Sequence, residues 1–302
     1  MDLRVYQIDA FTTTRYQGNP AGVVANADGL SVPHMQEIAR ELNNSETAFV
    51  LKPTSDDHDL HVRFFTPTSE VPVCGHATLA AHYVMALEGR PTGSYRQLTG
   101  AGVQRVRVSE TDNDYLVTIE QNQPVFTSPL PPDVARDVLD ALGVDFGAVD
   151  PRCPLQFVST GHGKLLIGLR ERKTLQQLAP DLGRLTALSE AAGTKGYFAF
   201  TLDTPGDDEA YTWGRMFAPA IGIAEDPVTG NANGPLGAYL VRHSLLAVES
   251  GFVRYRARQA AANGRGGWMD VTVSAESGSP ASVQIEGRAV MCFQTTLPSG
   301  TY

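Results

Sequence analysis

The sequence predicts an α+β protein of two similar halves, each a mostly antiparallel sheet set around or against a helix. Three observations carry this. Strand-like and helix-like stretches alternate along the chain. The order of elements occurs twice. Specific short segments recur in that order: Arg63-Phe-Phe-Thr-Pro67 matches Arg215-Met-Phe-Ala-Pro219, Cys74-Gly-His-Ala77 matches Thr229-Gly-Asn-Ala232, and Val117-Thr-Ile-Glu120 matches Val283-Gln-Ile-Glu286. Residues 35–50 also lie over residues 185–200 without a gap, at an offset of 150. A duplication of this kind changes the architecture that a chain can adopt.

In the first half, residues 3–11 alternate as a strand, Gly18-Asn-Pro20 is a turn, and residues 21–24 are a short apolar strand. Ser31 can cap a helix through Leu42, with Pro33 in the first turn and Met35, Ile38, Ala39 and Leu42 on one face. Residues 46–51 and 60–65 return to strand. Pro67, Pro72 and a Gly75-His76 turn follow, and residues 77–87 are apolar enough for a buried helix. Residues 104–108 and 115–119 alternate around Thr111-Asp-Asn-Asp114 and read as a hairpin.

Residues 126–151 connect the halves and hold a short helix over 134–142. The second half then has strands at 156–158, 165–169 and 196–201, with a turn at Gly161-His162-Gly163 and a helix over 185–192. Residues 215–219 lead to the Gly-rich segment 226–234 and a helix through Leu240, and strands at 268–273 and 283–285 close the half. The expected domains are residues 1–127 and 128–287, with a last strand over 288–302 able to return to the first. A duplicated pair leaves a cleft, a usual place for a ligand.

The chain has 302 residues, 24 Lys+Arg against 33 Asp+Glu, and a formal net charge of −9. With 42% hydrophobic residues it can bury a real core. An acidic chain without a basic block is a poor nucleic-acid or anionic-membrane binder. Cys74, Cys153 and Cys292 are too scattered for a disulfide framework and suggest a reducing compartment. The opening residues lack the apolar run of a signal peptide, and no stretch approaches the ~18–20 apolar residues of a spanning helix. The expectation is a cytoplasmic protein.

Each half carries a glycine-containing turn running into an apolar helix, at Cys74-Gly75-His76 and Thr229-Gly230-Asn231. Glycine allows close backbone approach, and the first N–H groups of a helix are unpaired donors at the positive end of its dipole. Such paired helix starts suit a carboxylate; they also suit ordinary caps. Glu46 begins a strand, and its counterpart in the second half is Gly196. A carboxylate among apolar neighbours would have a raised pKa suited to proton transfer; a solvated glutamate at a strand start is equally consistent with the residues. Asp226, before Pro227, could orient a substrate amine, hold His76, or simply make an Asx-type turn. His76 could donate to a substrate or move a proton, or pack as a cap-region side chain. His58 and His61 have no further ligands beside them in sequence and read as solvated surface, not metal. There is no nucleophile elbow, Walker A loop or dinucleotide turn, and Gly161-His-Gly-Lys164 lacks the spacing of a phosphate loop. A cofactor-free proton-transfer enzyme fits best, with no metal.

These residues resemble the phenazine-biosynthesis isomerase family known as PhzF, within the diaminopimelate-epimerase-like fold. The resemblance runs along essentially the whole chain: Asp9-Ala-Phe11, Gly18-Asn-Pro20, Ile38-Ala-Arg-Glu41, Ser45-Glu-Thr47, Phe65-Thr-Pro67, Cys74-Gly-His76, Met216-Phe-Ala-Pro219 and Glu225-Asp-Pro-Val-Thr-Gly230. It implies two pseudo-symmetric domains, each a sheet wrapped around a central helix, a homodimer, and acid/base isomerisation of a small cyclic amino or hydroxy carboxylate without metal or organic cofactor. By position, Glu46 looks like the general acid/base that takes a proton from one carbon and returns it to another. His76 and Asp226 look like its proton-handling and substrate-orienting partners, and Gly75, Gly230 and Asn231 like the carboxylate cradle.

Two departures stand out. The phenazine enzyme has a serine where this chain has Asn231, and an amide cannot relay a proton as a hydroxyl can. The cofactor-free epimerases of the wider fold place catalytic cysteines where this chain has Cys74 and Thr229, and a Cys/Thr pair cannot racemise symmetrically. Cys74 and Thr229 therefore count among the substrate-contacting candidates. A Cys74-dependent epimerase or dehydratase stands as the alternative enzyme, and a non-catalytic metabolite-binding or interaction module as the alternative outside catalysis.

Overall fold

The strand pairings of the first unit recur one for one in the second. The computed structural model describes residues 2–206 and 209–298. The chain divides into two units, residues 1–120 with 286–302 and residues 121–285. The first contains β1 (Leu3–Ala10), β2 (Asn19–Val24), α1 (Val32–Leu42), β3 (Glu46–Leu51), β4 (Leu60–Phe65), β5 (Glu70–Val71), α2 (Gly75–Leu87), β6 (Gly93–Thr99), β7 (Gly102–Thr111) and β8 (Asp114–Gln121). The second contains β9 (Val125–Pro129), α3 (Pro132–Leu142), β10 (Gln156–Ser159), β11 (Lys164–Leu169), α4 (Arg172–Gln176), α5 (Leu182–Leu188), β12 (Tyr197–Thr201), β13 (Ala210–Ala218), β14 (Ile223–Asp226), α6 (Gly230–Arg242), β15 (Phe252–Ala260), β16 (Gly266–Glu276) and β17 (Ser279–Gly287). A last strand, β18 (Ala289–Leu297), pairs antiparallel with β1.

In the first unit β1–β2 is antiparallel, β2–β3 parallel, β3–β4 antiparallel, β4–β6 parallel and β6–β7 antiparallel. In the second, β10–β11, β11–β12, β12–β13, β13–β15 and β15–β16 repeat that sequence of directions. Each unit is thus the expected mostly antiparallel sheet about one helix. α2 buries every residue from His76 to Ala86 and touches β1, β2, β3, β7 and β18. α6 buries residues 232–241 against β10, β11 and β16. A helix apolar all round must be enclosed, and the curved sheet of its own unit does this. At Gly237 the helix lies close against β16: a Cβ there would stand 2.8 Å from Val271 and 2.9 Å from Val273.

Local rules explain most elements. Ser31 Oγ accepts the His34 N–H, and Met35, Ile38 and Ala39 turn inward against Leu3, Val5, Val24, Phe49 and Phe65. Burying each large member of that cluster contributes about 1.5–3 kcal/mol. Among the described residues, no helix is long and apolar enough to cross a membrane.

The structure also corrects the sequence reading. Gly75 and His76 are the first residues of α2, not a turn before it. The helix expected over 185–192 is α5, starting at Leu182 because Asp181 caps the Arg184 N–H. The strands β5, β6, β9, β13, β14 and β15 and the helix α4 stand where the sequence reading places no such element. β15 buries Tyr255, Ala257 and Gln259 between arginines, an alternation that lacks the branched apolar residues by which strands are read. Of the last strand expected over 288–302, residues 299–302 lie outside the described residues.

Candidate active site

In the first unit, Glu46 opens β3 next to buried Ala21 of β2. Cys74 is the N-cap of α2, in extended backbone, and its side chain does not cap the helix. His76 follows two residues later. Together they converge: Cys74 Sγ lies 3.4 Å from His76 Nδ1 and 3.9 Å from Nε2. His76 Nε2 lies 3.4 Å from Glu46 Oε2 and 3.3 Å from Ser45 Oγ. The side chains of His76 and Glu46 are 8% and 14% exposed. Burial raises the Glu46 pKa above the ordinary carboxylate value; hydrogen bonds from Ser45 and Cys74 oppose the shift without cancelling it. A carboxyl whose pKa is raised by burial, an imidazole and a thiol in mutual contact can pass a proton among themselves.

In the second unit, Asp226 ends β14 and accepts the hydroxyl of Thr229, the N-cap of α6. Gln259 of β15, fully buried, locks this turn. Its Oε1 accepts from Thr229 N at 2.9 Å and from Asn233 Nδ2 at 3.0 Å, while its Nε2 donates to Asp226 O at 2.7 Å. Gly230 is buried and Asn231 half-buried at the first two positions of α6. Pro235 has no N–H to offer the Asn231 carbonyl, so the α-helical hydrogen bond between these two residues is missing from the first turn.

The second unit also exchanges the sign of a charge. Lys164, the first residue of β11, is 5% exposed. Leu165 pairs with Tyr197, which puts Lys164 beside Gly196 as Ala21 is beside Glu46. A Cβ on Gly196 would lie 2.6 Å from Lys164 Cδ and 3.0 Å from its Cε. Glycine at the position equivalent to Glu46 therefore makes room for a lysine reaching over from the neighbouring strand. Burial pushes the Lys164 ammonium down to about 8, against the pull of the Asp226 charge. Its Nζ donates at 3.4 Å to His162 O and 3.3 Å to Gly163 O. The Lys164 charge is in turn the main reason that His162 falls to about 4.

Of the residues expected from sequence, Glu46, Cys74 and His76 form one cluster in the first unit, and Asp226, Thr229, Gly230 and Asn231 adjoin one another in the second. Gly75 is the first residue of α2, between Cys74 and His76. Sequence reasoning missed Lys164 and Gln259. The one signal for Lys164 was the unmatched Gly196; Gln259 comes from a strand that was not foreseen. His58 is not solvated surface: it is buried, with Nδ1 2.6 Å from Asp57 Oδ1 and Nε2 accepting from Thr54 N at 3.0 Å. Cys153 is buried and its thiol pushed up to about 12 by that burial, so it is inert. Among the described residues, Glu46, Cys74 and His76 are the group able to offer three donor atoms to one metal ion.

The family model for phenazine biosynthesis-like proteins (PhzC-PhzF) matches residues 8–295. An uncharacterized isomerase of Clostridium acetobutylicum is 46% identical over 294 residues, covering 97% of each chain. The trans-2,3-dihydro-3-hydroxyanthranilate isomerase of Pseudomonas chlororaphis is 35% identical over 243 residues, covering 79% of this chain and 80% of that one. Among solved structures, a PhzF-family phenazine biosynthesis protein of Bacillus anthracis superposes with a TM-score of 0.88 at 26% identity over 99% of both chains. A hydroxyproline epimerase of Agrobacterium vitis, at 13% identity and a TM-score of 0.62 over 98% of this chain and 92% of that one, shares the fold.

Proposed function

The chain belongs to the phenazine biosynthesis-like (PhzC-PhzF) family and is an isomerase, and from that premise we propose that Glu46 shifts a proton between two carbons of a small cyclic amino or hydroxy carboxylate. The Glu46 carboxylate takes a proton from a carbon made acidic by an adjacent unsaturated group. The C–H electron pair enters that conjugated system. The carboxylic acid then returns the proton to a second carbon, so the cycle ends with the enzyme unchanged. No oxidant or reductant is needed for this balance. The observation that supports it most is the buried Glu46 carboxyl with His76 Nε2 at 3.4 Å. Burial makes this carboxylate a stronger base than a solvated one, and His76 beside it can orient or share the proton it takes.

The other roles follow the chemistry of each group. His76 handles the proton with Glu46. Asp226, held by Thr229 and Gln259, orients an amine or hydroxyl of the substrate. The N–H groups at Gly75, and at Gly230 and Asn231, receive carboxylate oxygens. Lys164 adds positive charge beside Asp226. In this way an acidic protein takes an anionic substrate by local donors, whatever its net charge.

The experiment is proton NMR in heavy water on wild type and Glu46→Gln. The first compound is trans-2,3-dihydro-3-hydroxyanthranilate, the substrate in the relative's name; a panel of cyclic and hydroxy amino acids follows. Deuterium entering carbon with wild type alone supports the proposal, and equal exchange by both proteins refutes it. A second reading, a Cys74-dependent epimerase or dehydratase, draws on the 3.4 Å contact of Cys74 Sγ with His76 Nδ1. Alkylation cannot separate the two, since a group on Cys74 would crowd Glu46 and His76 as well. Cys74→Ala separates them: it spares exchange under the first reading and abolishes it under the second.

A further inference from the structure

We propose that Glu46, Cys74 and His76 form a binding site for one thiophilic divalent cation of the zinc class, and that the cation reversibly shuts off the isomerase site. The three side chains offer a carboxylate oxygen, a thiolate sulfur and an imidazole nitrogen, the donor types that zinc takes. One donor atom from each lies within 4.8 Å of the others. With His76 Nε2 as the common vertex, Cys74 Sγ is 3.9 Å away and Glu46 Oε2 3.4 Å away. Tetrahedral zinc, bonded at about 2.3 Å to sulfur and about 2.0–2.2 Å to nitrogen and oxygen, needs its donors about 3.3–3.6 Å apart. The His76 pairs are within a few tenths of an ångström of that spacing. Ser45 Oγ, 3.3 Å from the same nitrogen, can hold a water in the fourth position.

Charge and rigidity agree with this geometry. A thiolate and a carboxylate together neutralise a dication, so the loaded cluster buries no net charge. Cys74 sits at the start of α2, and a cation bound there takes it as the thiolate, releasing the thiol proton to solvent. Glu46 starts β3, and Cys74 and His76 flank Gly75 at the start of an enclosed helix. Sites on regular elements need little rearrangement to bind. The cation would occupy the Glu46 oxygen that takes the proton. That inhibitory consequence rests on the reading of Glu46 given above; the binding itself does not.

Cobalt(II) is the probe, because a thiolate bound to it gives a near-ultraviolet charge-transfer band. Adding Co²⁺ to the reduced full chain should produce that band, saturating at one equivalent and bleached by Zn²⁺. Cys74→Ser should abolish it and Cys292→Ser should leave it. His76→Gln removes a ligand and should weaken binding by at least the roughly tenfold loss that a change in an outer-shell partner brings. Zn²⁺ should also protect Cys74 of wild type from iodoacetamide, read by mass spectrometry, which needs no variant. Absence of the band at one equivalent, or its survival in folded Cys74→Ser, overturns the site. A Zn²⁺-bleachable, Cys74-dependent band with turnover unaffected by saturating Zn²⁺ leaves the cation site standing, removes its inhibitory role, and overturns the reading of Glu46.

Discussion

Replacing Lys164 by methionine should stabilise the fold at neutral pH, by an amount that disappears at high pH. Methionine keeps most of the apolar stem that crosses Gly196 and removes the buried ammonium. In the folded protein the Lys164 pKa falls from 10.5 to about 8 through burial. At about 1.4 kcal/mol per pH unit, the buried charge costs about 3 kcal/mol at pH 7. Between pH 8 and 10.5 the unfolded chain binds this proton and the folded chain does not. The group's contribution is therefore full above the unfolded pKa and is lost as pH falls through about 8. The variant forgoes two long hydrogen bonds, at 3.4 and 3.3 Å to His162 O and Gly163 O, so a net gain of about 1–3 kcal/mol at pH 7 is expected. That is roughly 2–10 °C in melting temperature for a unit of this size. The assay is thermal unfolding of both proteins at pH 7 and pH 10, with the His162 imidazole followed by NMR. The His162 pKa, held down chiefly by the Lys164 charge, should rise toward its ordinary value. A variant that melts lower than wild type by the same margin at both pH values would refute the reasoning.

Three other outcomes follow from single contacts. Glu46→Gln preserves shape and a hydrogen-bonding amide, so it should fold like wild type while turnover falls about 10²–10⁴-fold, read by deuterium exchange and by melting. Glu225→Ala strips Arg215 of its bidentate partner, with bonds of 2.7 and 3.0 Å between side chains 8% and 13% exposed. Leaving that guanidinium among the Leu175, Gln176 and Leu178 carbonyls without a counter-charge should cost about 3–5 kcal/mol in urea unfolding. His82, buried against Gln97 Oε1 at 2.9 Å, is pushed down to about 4. Its stabilising contribution is present above the unfolded value of 6.5 and lost as pH falls through about 4, so His82→Gln should show a shallower acid-side loss of stability than wild type in calorimetry from pH 7 to pH 4.

The periodic elements were legible because they obey short-range rules. The period-2 alternation of residues 3–10, the Ser31 cap and inward face of α1, and the apolar run of α2 each declare themselves within a dozen residues. The duplication was legible because both halves solve the same problem, enclosing one helix, with the same order of strands. Elements whose inward residues are mostly polar or small were not: β6 buries Gln97 and Thr99, and β15 buries Ala257 and Gln259 beside Tyr255. Their stability comes from neighbouring strands that a local window does not contain.

The chemistry divides in the same way. By itself the sequence determined that a carboxylate, an imidazole and a thiol stand near a strand start and a helix start, and that a glycine replaces Glu46 in the second half. Only the tertiary structure decided that Glu46, Cys74 and His76 meet, that Lys164 fills the space above Gly196 beside Asp226, and that Gln259 pins the turn before α6. The reason is that burial and through-space charge set these properties. The strands that bring Lys164 to Gly196, and Gln259 to Thr229, are joined by pairing across the sheet, which no spacing along the chain records.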